Sequence, residues 1–178
     1  SWPGHVPAGE VSQSPGSFVD ILPTLASVTG TGLPEGRILD GMDLSAVFTG
    51  ESEYIERRNS IFFFRYFHDP VCMIRDEQWV LLGYDEPLPY EADYNQVALA
   101  KLKPEPGQPP WSMWGFQPVH MDFLIDMIPR RFELYNIEDY PGQRDDLANR
   151  YPEVTDRLRE TMLRLRSEMI AEGGNWYE

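Results

Sequence analysis

The sequence predicts an α+β chain in which an antiparallel sheet of about four strands is packed by a long C-terminal helix. Aromatic and β-branched residues crowd into short runs at 61–67, 71–75, 78–83 and 131–137. Residues of this type favour strands, and the turn-forming residues between the first three runs predict a meander. A helix and a loop precede the sheet.

The helix at the C-terminal end has the clearest pattern. Pro152 occupies a first helical position and Gly173 follows the last apolar residue, so the helix has defined ends. The apolar side chains recur at steps of four, four, three and four and form one face: Val154, Leu158, Met162, Leu165 and Met169. Such a face needs a flat apolar partner, and the strands before it are the candidate.

A shorter helix is predicted over residues 18–29. Ser17 and Asp20 have the spacing of a capping box at its start, and Gly30 is suited to a left-handed cap at its end. Pro23 lacks a backbone donor, which predicts an irregular first turn. A further helical turn is predicted at 44–48.

Charge and composition exclude several classes of function. The chain carries a formal net charge of −14, which opposes binding to nucleic acids or to an anionic membrane surface. Its longest apolar runs, such as the one at 61–64, have four residues, far fewer than the roughly 20 that span a bilayer. The one cysteine, Cys72, permits no intrachain disulfide and is expected to be a small buried hydrophobe.

No residue cluster matches a metal or catalytic motif. His120 and Asp122 lack a third ligand nearby in the sequence, and Asp145 with Asp146 lacks the alternating pattern of a calcium loop. His68 with Arg65 could line a pocket for an anion or a sugar, although a turn that caps a hairpin is the alternative. No catalytic residue and no metal ligand are therefore predicted in this chain.

Residues 85–129 form an excursion between the third and fourth strands. It holds eight of the sixteen prolines together with Trp111 and Trp114. Loops of this length are uncommon unless they are functional or disordered, and the aromatic content favours a packed segment.

Five phrases in order resemble the C-terminal part of the arylsulfatase family, within the alkaline-phosphatase-like superfamily. They are Trp-Pro-Gly-His-Val at 2–6, Asp-Ile-Leu-Pro-Thr-Leu at 20–25, Leu-Asp-Gly-Met-Asp-Leu at 39–44, the strand at 61–66, and Glu-Leu-Tyr-Asn at 133–136 with Pro-Gly at 141–142. The resemblance covers nearly the whole chain except the excursion. Tyr140, Gln143 and Asp146 depart from the family pattern at a surface turn.

The resemblance implies a parent protein that hydrolyses sulfate monoesters. Family members use a formylglycine made from Cys or Ser in a Cys/Ser-x-Pro-x-Arg motif, together with a calcium ion. Both are expected in the part of the parent that is N-terminal to the Trp-Pro-Gly phrase. Cys72 is followed by Met73 and Ile74 and lacks the required proline, so this fragment alone is expected to be inactive.

The resemblance also implies a division of the chain and a role for each part. Residues 1–53 are expected to be the C-terminal end of the large α/β sulfatase domain, and residues 54–178 the small C-terminal subdomain. Loops at the strand ends of that subdomain help to shape the substrate cleft. Arg65 and His68 are therefore the predicted contacts to the organic part of a sulfated small molecule or sugar, and Trp111 and Trp114 are expected to wall the cleft or a subunit interface.

Two alternatives remain. The chain could be part of a related phosphoester or phosphonate hydrolase of the same superfamily, or a non-catalytic interaction module that uses the aromatic excursion.

When the chain is separated from the rest of the parent's large domain, apolar surface would be exposed at Ile21, Leu25 and Val28. The isolated chain is therefore expected to form a homo-oligomer or to be poorly soluble.

Overall fold

A computed structural model of the chain describes residues 2–65, 71–85, 125, 127–139 and 141–173, with the side chain of Arg65 excepted. The chain divides into two compact units, Ser1–Ile61 and Phe62–Glu178. None of the helices in the described ranges is both long and apolar enough to cross a membrane.

The first unit contains the predicted short helix. A 3-10 turn at Phe18–Asp20 leads into α1, Ile21–Thr29, and Gly30 ends it with a left-handed φ of 67°. The N–H of Gly30 donates to the carbonyls of Ala26 and Ser27, which satisfies part of the helix end. The helix, its irregular first turn and its glycine cap are therefore confirmed. A second helix, α2, spans Ser45–Phe48.

The sheet of the second unit has four strands in the order β1-β2-β3-β4. The strands are β1 Ile61–Arg65, β2 Val71–Asp76, β3 Trp79–Tyr84 and β4 Arg131–Asn136. β2 pairs antiparallel with β3 from Val71↔Tyr84 to Asp76↔Trp79, and β3 pairs antiparallel with β4 from Trp79↔Asn136 to Tyr84↔Arg131. The predicted meander is confirmed, with a turn at residues 77–78 between β2 and β3.

One face of the sheet is covered by α3, Pro152–Glu172, which contacts β2, β3 and β4. The sheet and the helix share a core whose members are fully or almost fully buried: Cys72, Ile74, Leu81, Met127, Leu134, Leu158 and Met162. Strand alternation places every second residue of each strand on this face. The predicted α+β arrangement, with one long helix on an antiparallel sheet, is confirmed.

Gly83 allows α3 to approach the sheet closely. A Cβ atom at this position would lie 2.7 Å from Sδ of Met162 and 3.0 Å from Cβ of Pro129. Both contacts are shorter than the van der Waals limit, so a side chain here would push the helix away from β3.

The excursion predicted at 85–129 lies outside the described residues except for Asp85, Ile125 and residues 127–129. Met127 is 3% exposed and belongs to the core of the second unit. The carbonyl of Ile125 accepts a hydrogen bond from Nη2 of Arg166 at 3.1 Å. The returning end of the excursion is therefore anchored to the sheet and to α3.

Candidate functional site

The predicted substrate contact Arg65 is the last residue of β1, and His68 lies outside the described residues. β2 begins at Val71, so only residues 66–70 connect the two strands. A parallel crossover needs a dozen or more residues, and this connection therefore joins antiparallel neighbours at one end of the sheet. Trp111 and Trp114 also lie outside the described residues.

The same end of the sheet holds the end of β3 and the start of β4. Val71 is paired with Tyr84, and Tyr84 with Arg131. Arg130 donates its N–H to the carbonyl of Tyr84 at 2.7 Å, and its guanidinium lies 3.3 Å from the carboxylate of Asp85. We call this the arginine end of the sheet, defined by Arg65, Tyr84, Asp85, Arg130 and Arg131.

Glu133 organises a polar cluster beside the arginine end. Its Oε2 atom accepts hydrogen bonds from the hydroxyls of Tyr135 at 2.8 Å and Tyr84 at 3.2 Å, and its Oε1 atom pairs with Nη1 of Arg131. The guanidinium of Arg131 also lies over the ring of Tyr84, 4.3 Å from its centroid. Burial raises the pKa of Tyr135, and the hydrogen bond to Glu133 raises this pKa further, so Tyr135 stays a proton donor to the carboxylate.

The first unit contains a second charged cluster, centred on Asp20. The carboxylate is 2% exposed and accepts four hydrogen bonds, from Ser17 N (2.7 Å), Met42 N (2.9 Å), and Arg57 Nη1 (2.6 Å) and Nη2 (3.0 Å). Burial alone would raise the pKa of Asp20, but the hydrogen bonds from Arg57, Met42 and Ser17 outweigh it and hold the pKa below the ordinary value of 3.8. The bidentate pair with Arg57 is the strong form of such an interaction.

Thr24 and Gly41 complete the contact between α1 and the loop that follows it. The hydroxyl oxygen of Thr24, one turn after Asp20, accepts the N–H of Leu44 at 2.9 Å. A Cβ atom on Gly41 would lie only 1.9 Å from the carbonyl oxygen of Val19. The phrases at 20–25 and 39–44 are therefore two sides of one contact, in which side chains of the helix bind backbone donors of the loop.

Cys72 is fully buried, as predicted, and its Sγ atom lies 4.0 Å from Sδ of Met127. Desolvation by burial raises the pKa of this thiol to about 12, and the charge of Arg166 lowers it only in part. A thiol of this pKa is almost entirely protonated at neutral pH, so it does not fit the role of a nucleophile. Within the described ranges, no group of three or more His, Cys, Asp or Glu side chains could hold a metal ion.

Two features of these sites were not predicted from the sequence. The sequence indicates a helix cap and a family phrase at Asp20, but not its ion pair with Arg57, which lies far from it in the chain. In the sequence, Glu133 stands out only as part of a family phrase. A signal for its cluster existed, because Arg131 and Tyr135 flank it at two-residue spacing, which places all three on one face of a strand.

Comparison with protein-family models finds no match. Curated relatives match parts of the chain. Human steryl-sulfatase is 42% identical over 65 residues, which are 36% of this chain and 11% of the relative. Pig N-acetylgalactosamine-6-sulfatase is 49% identical over 43 residues, 24% of this chain and 8% of that protein. Mouse arylsulfatase G is 44% identical over 52 residues, 29% of this chain and 10% of that protein.

Solved structures share the fold over most of the chain. The crystal structure of Ps i-CgsB has a TM-score of 0.55 at 22% identity and covers 95% of this chain and 27% of that one. A structure from the study of glycosaminoglycan metabolism by Bacteroides thetaiotaomicron has a TM-score of 0.50 at 18% identity and covers 83% of this chain and 24% of that one. Both likenesses show a shared fold.

The sheet, its covering helix and the helix-and-loop unit before them thus share the fold of the matched quarter of these structural neighbours. The resemblance of the chain to the C-terminal part of the sulfatases, which are sulfate ester hydrolases, is confirmed by its curated relatives. The chain spans about a quarter of the length of the solved structures, and the matched stretches about a tenth of the curated relatives.

Proposed function

We propose that the chain is the C-terminal part of a sulfatase that hydrolyses sulfate monoesters, and that this part supplies scaffold and the rim of the substrate cleft. The sequence match to human steryl-sulfatase, 42% identity over 65 residues, carries this proposal. The nucleophile and the calcium ligands belong in the N-terminal part of the parent. Cys72 does not fit the formylglycine position, because it is buried and is followed by Met73 and Ile74.

The surface of α1 supports the proposal that residues 1–53 belong to the large domain of the parent. Four apolar side chains at positions i, i+3, i+4 and i+7 are half or more exposed: Phe18 (88%) in the 3-10 turn before α1, and Ile21 (50%), Leu22 (50%) and Leu25 (54%) in α1 itself. A stripe at this spacing is typical of a helix face that packs on another element. Residues 54–178 would then be the small subdomain, and self-association of the isolated chain through this stripe stays a prediction.

Hydrolysis assays test the proposed function. The longer protein that carries this chain is expected to cleave an aryl sulfate, whereas residues 1–178 alone are expected to leave it intact. Cleavage of an aryl phosphate or phosphonate in place of the sulfate would favour the related hydrolase. Desulfation by the isolated chain would contradict the placement of the catalytic residues.

Arg65 and His68 are proposed to contact the organic part of the substrate. In the longer protein, Arg65→Ala and His68→Ala are each expected to raise KM for a sulfated sugar about tenfold, the effect of losing one hydrogen bond to a charged group. kcat should change little, because such contacts bind the ground state and the transition state alike.

Arg75→Ala is the matched control for these two variants. Arg75 also lies on the sheet but near the opposite end of β2, where its Nε atom donates to the carbonyl of Glu77. The KM of the Arg75→Ala enzyme is expected to equal that of the wild type. If the Arg65 and the His68 variants both kept the wild-type KM, the proposal that these residues contact the substrate would be wrong.

A further inference from the structure

β4 is the last strand of the described sheet, so one of its edges faces away from β3. The backbone groups of a strand alternate between its two sides. The N–H of Ile137 donates to the carbonyl of Gln78 beside β3, so Asn136, Leu134 and Phe132 direct their backbone groups to the outer side. An edge with unpaired N–H and C=O groups can pair with a strand of another chain.

Two residues of the segment before α3 cover the middle of this outer edge. Oδ1 of Asp146 accepts the N–H of Leu134 at 3.0 Å, and the N–H of Leu147 donates to the carbonyl of Leu134 at 2.8 Å. Leu134 is thus bound at both of its outward groups, as it would be by a neighbouring strand. The carboxylate oxygen takes the place of that strand's carbonyl. We call Asp146 and Leu147 the edge cap.

The edge cap is also held from the side of α3. Oδ1 of Asp146 accepts the N–H of Ala148 at 2.9 Å, and the carbonyl of Ala148 accepts a hydrogen bond from the hydroxyl of Thr155 at 3.2 Å. The carbonyl of Leu147 accepts the N–H of Tyr151 at 3.0 Å, and the side chains of Leu147 and Ala148 pack against the core. Contacts within the second unit therefore keep the cap on β4.

The sequence of β4 suits pairing with a second copy of itself. In an antiparallel pair centred on Leu134, Leu134 faces its counterpart, and Glu133 faces Tyr135 of the other copy. Arg131 then faces Ile137, so no two like charges lie opposite each other. Glu133 already accepts the hydroxyl of Tyr135 within one copy. Such a pairing has the self-complementarity that a two-fold symmetric dimer requires.

We propose that the edge cap excludes a second copy of this chain from β4, and that this exclusion depends on Asp146. The cap occupies the central one of the three outward residues, so a strand of another copy cannot pair along β4 while the cap is in place. Opening the cap frees the backbone of Leu134 and lets two copies join through their β4 edges. This inference concerns assembly and is independent of the proposed sulfatase function.

Amide hydrogen exchange of the chain at several protein concentrations tests this inference. In Asp146→Ala the N–H of Leu134 loses its acceptor, so its exchange at low concentration is expected to be at least about tenfold faster than in the wild type. A higher concentration should slow this exchange again, because a second copy then covers the edge. Asp146→Asn keeps the side-chain oxygen and should match the wild type, in which exchange at Leu134 is slow at every concentration.

Asp145→Ala is the matched control, because it removes the same charge from an exposed neighbour that binds neither Leu134 nor Ala148. Its exchange at Leu134 should equal that of the wild type at every concentration. The N–H of Leu81, in a strand that is paired on both sides, reports opening of the whole sheet and should not change in any variant.

Three results with Asp146→Ala would overturn the inference. Wild-type exchange at Leu134 would show that Asp146 does not protect the edge. Fast exchange at every concentration would show that the freed edge takes no second copy. An equal acceleration at Leu81 would show that the whole sheet, and not its cap, has opened.

Discussion

Replacing Arg57 with methionine is expected to destabilise the first unit by about 3 kcal/mol. Methionine has a similar length but no charge, so the carboxylate of Asp20, which is 2% exposed, would lose two of its four hydrogen bonds. Removing one partner of a buried ion pair typically costs about 3–5 kcal/mol. The lower end of that range applies because Arg57 also borders an open cleft beside α1.

Amide hydrogen exchange measures this loss locally. The N–H of Met42 donates to Asp20, so its exchange reports the opening of the contact between α1 and the loop. A loss of about 3 kcal/mol corresponds to exchange roughly a hundredfold faster. Arg57→Lys should lie between the wild type and the methionine variant, because an ammonium group keeps the charge but not the bidentate geometry.

Arg58→Met is the control, since this neighbour borders the same cleft but is exposed. Exchange at Met42 is expected to stay at the wild-type rate in this variant. If Arg57→Met and Arg58→Met were equally stable, the ion pair would contribute nothing to the fold of the first unit.

The contribution of the ion pair should depend on pH. The pKa of Asp20 is lowered in the folded state, so its stabilising effect is fully present above the unfolded value of about 4 and is lost as the pH falls through the lower folded value. Urea unfolding at several pH values should therefore show a difference between wild type and Arg57→Met that is largest above pH 4 and shrinks in more acidic buffer. A difference that grew on acidification would contradict this assignment.

The second large effect is expected at Gly41. In Gly41→Ala the new Cβ atom would lie 1.9 Å from the carbonyl oxygen of Val19 and 2.5 Å from its carbonyl carbon. Both atoms are backbone, so no side-chain rotation relieves the clash, and the loop must move away from α1. The expected cost is at least about 3 kcal/mol, at the upper end for overpacking. Thermal unfolding and exchange at Met42 and Leu44 would measure it.

Gly32→Ala is the matched control, because nothing lies within 4 Å of the Cβ position at Gly32. This variant should be neutral or slightly more stable, since alanine restricts the unfolded chain. Equal stabilities of the two alanine variants would show that the loop is free to shift away from Val19.

Local patterns were sufficient to predict the elements of the described fold. The spacing after Pro152 predicted α3, because one apolar face must recur with the period of the helix. The runs at 61–67 and 71–83 predicted the strands, because β-branched and aromatic residues at this density pack well on a pleated surface. Gly30 predicted the end of α1, because only a residue without a Cβ atom readily takes the left-handed conformation there.

The partners of the charged side chains could not be predicted in this way. Asp20 and Arg57 are joined only because the loop at residues 39–44 folds back on α1, and no local period encodes that contact. The same holds for Tyr84 and Glu133, which are far apart in the sequence and meet through the register of β3 and β4. Hydrogen bonds between distant residues depend on the pairing of whole elements.

The sequence by itself therefore determined the helices, the strands and the burial of Cys72, since each depends on the side chains of neighbouring residues. It also determined the likeness to the sulfatases, which rests on short phrases of consecutive residues. Only the tertiary structure decided which charged side chains from distant parts of the chain meet. The physical reason is that strand order and register bring distant residues within hydrogen-bond distance, and electrostatic interactions depend on that distance and on burial.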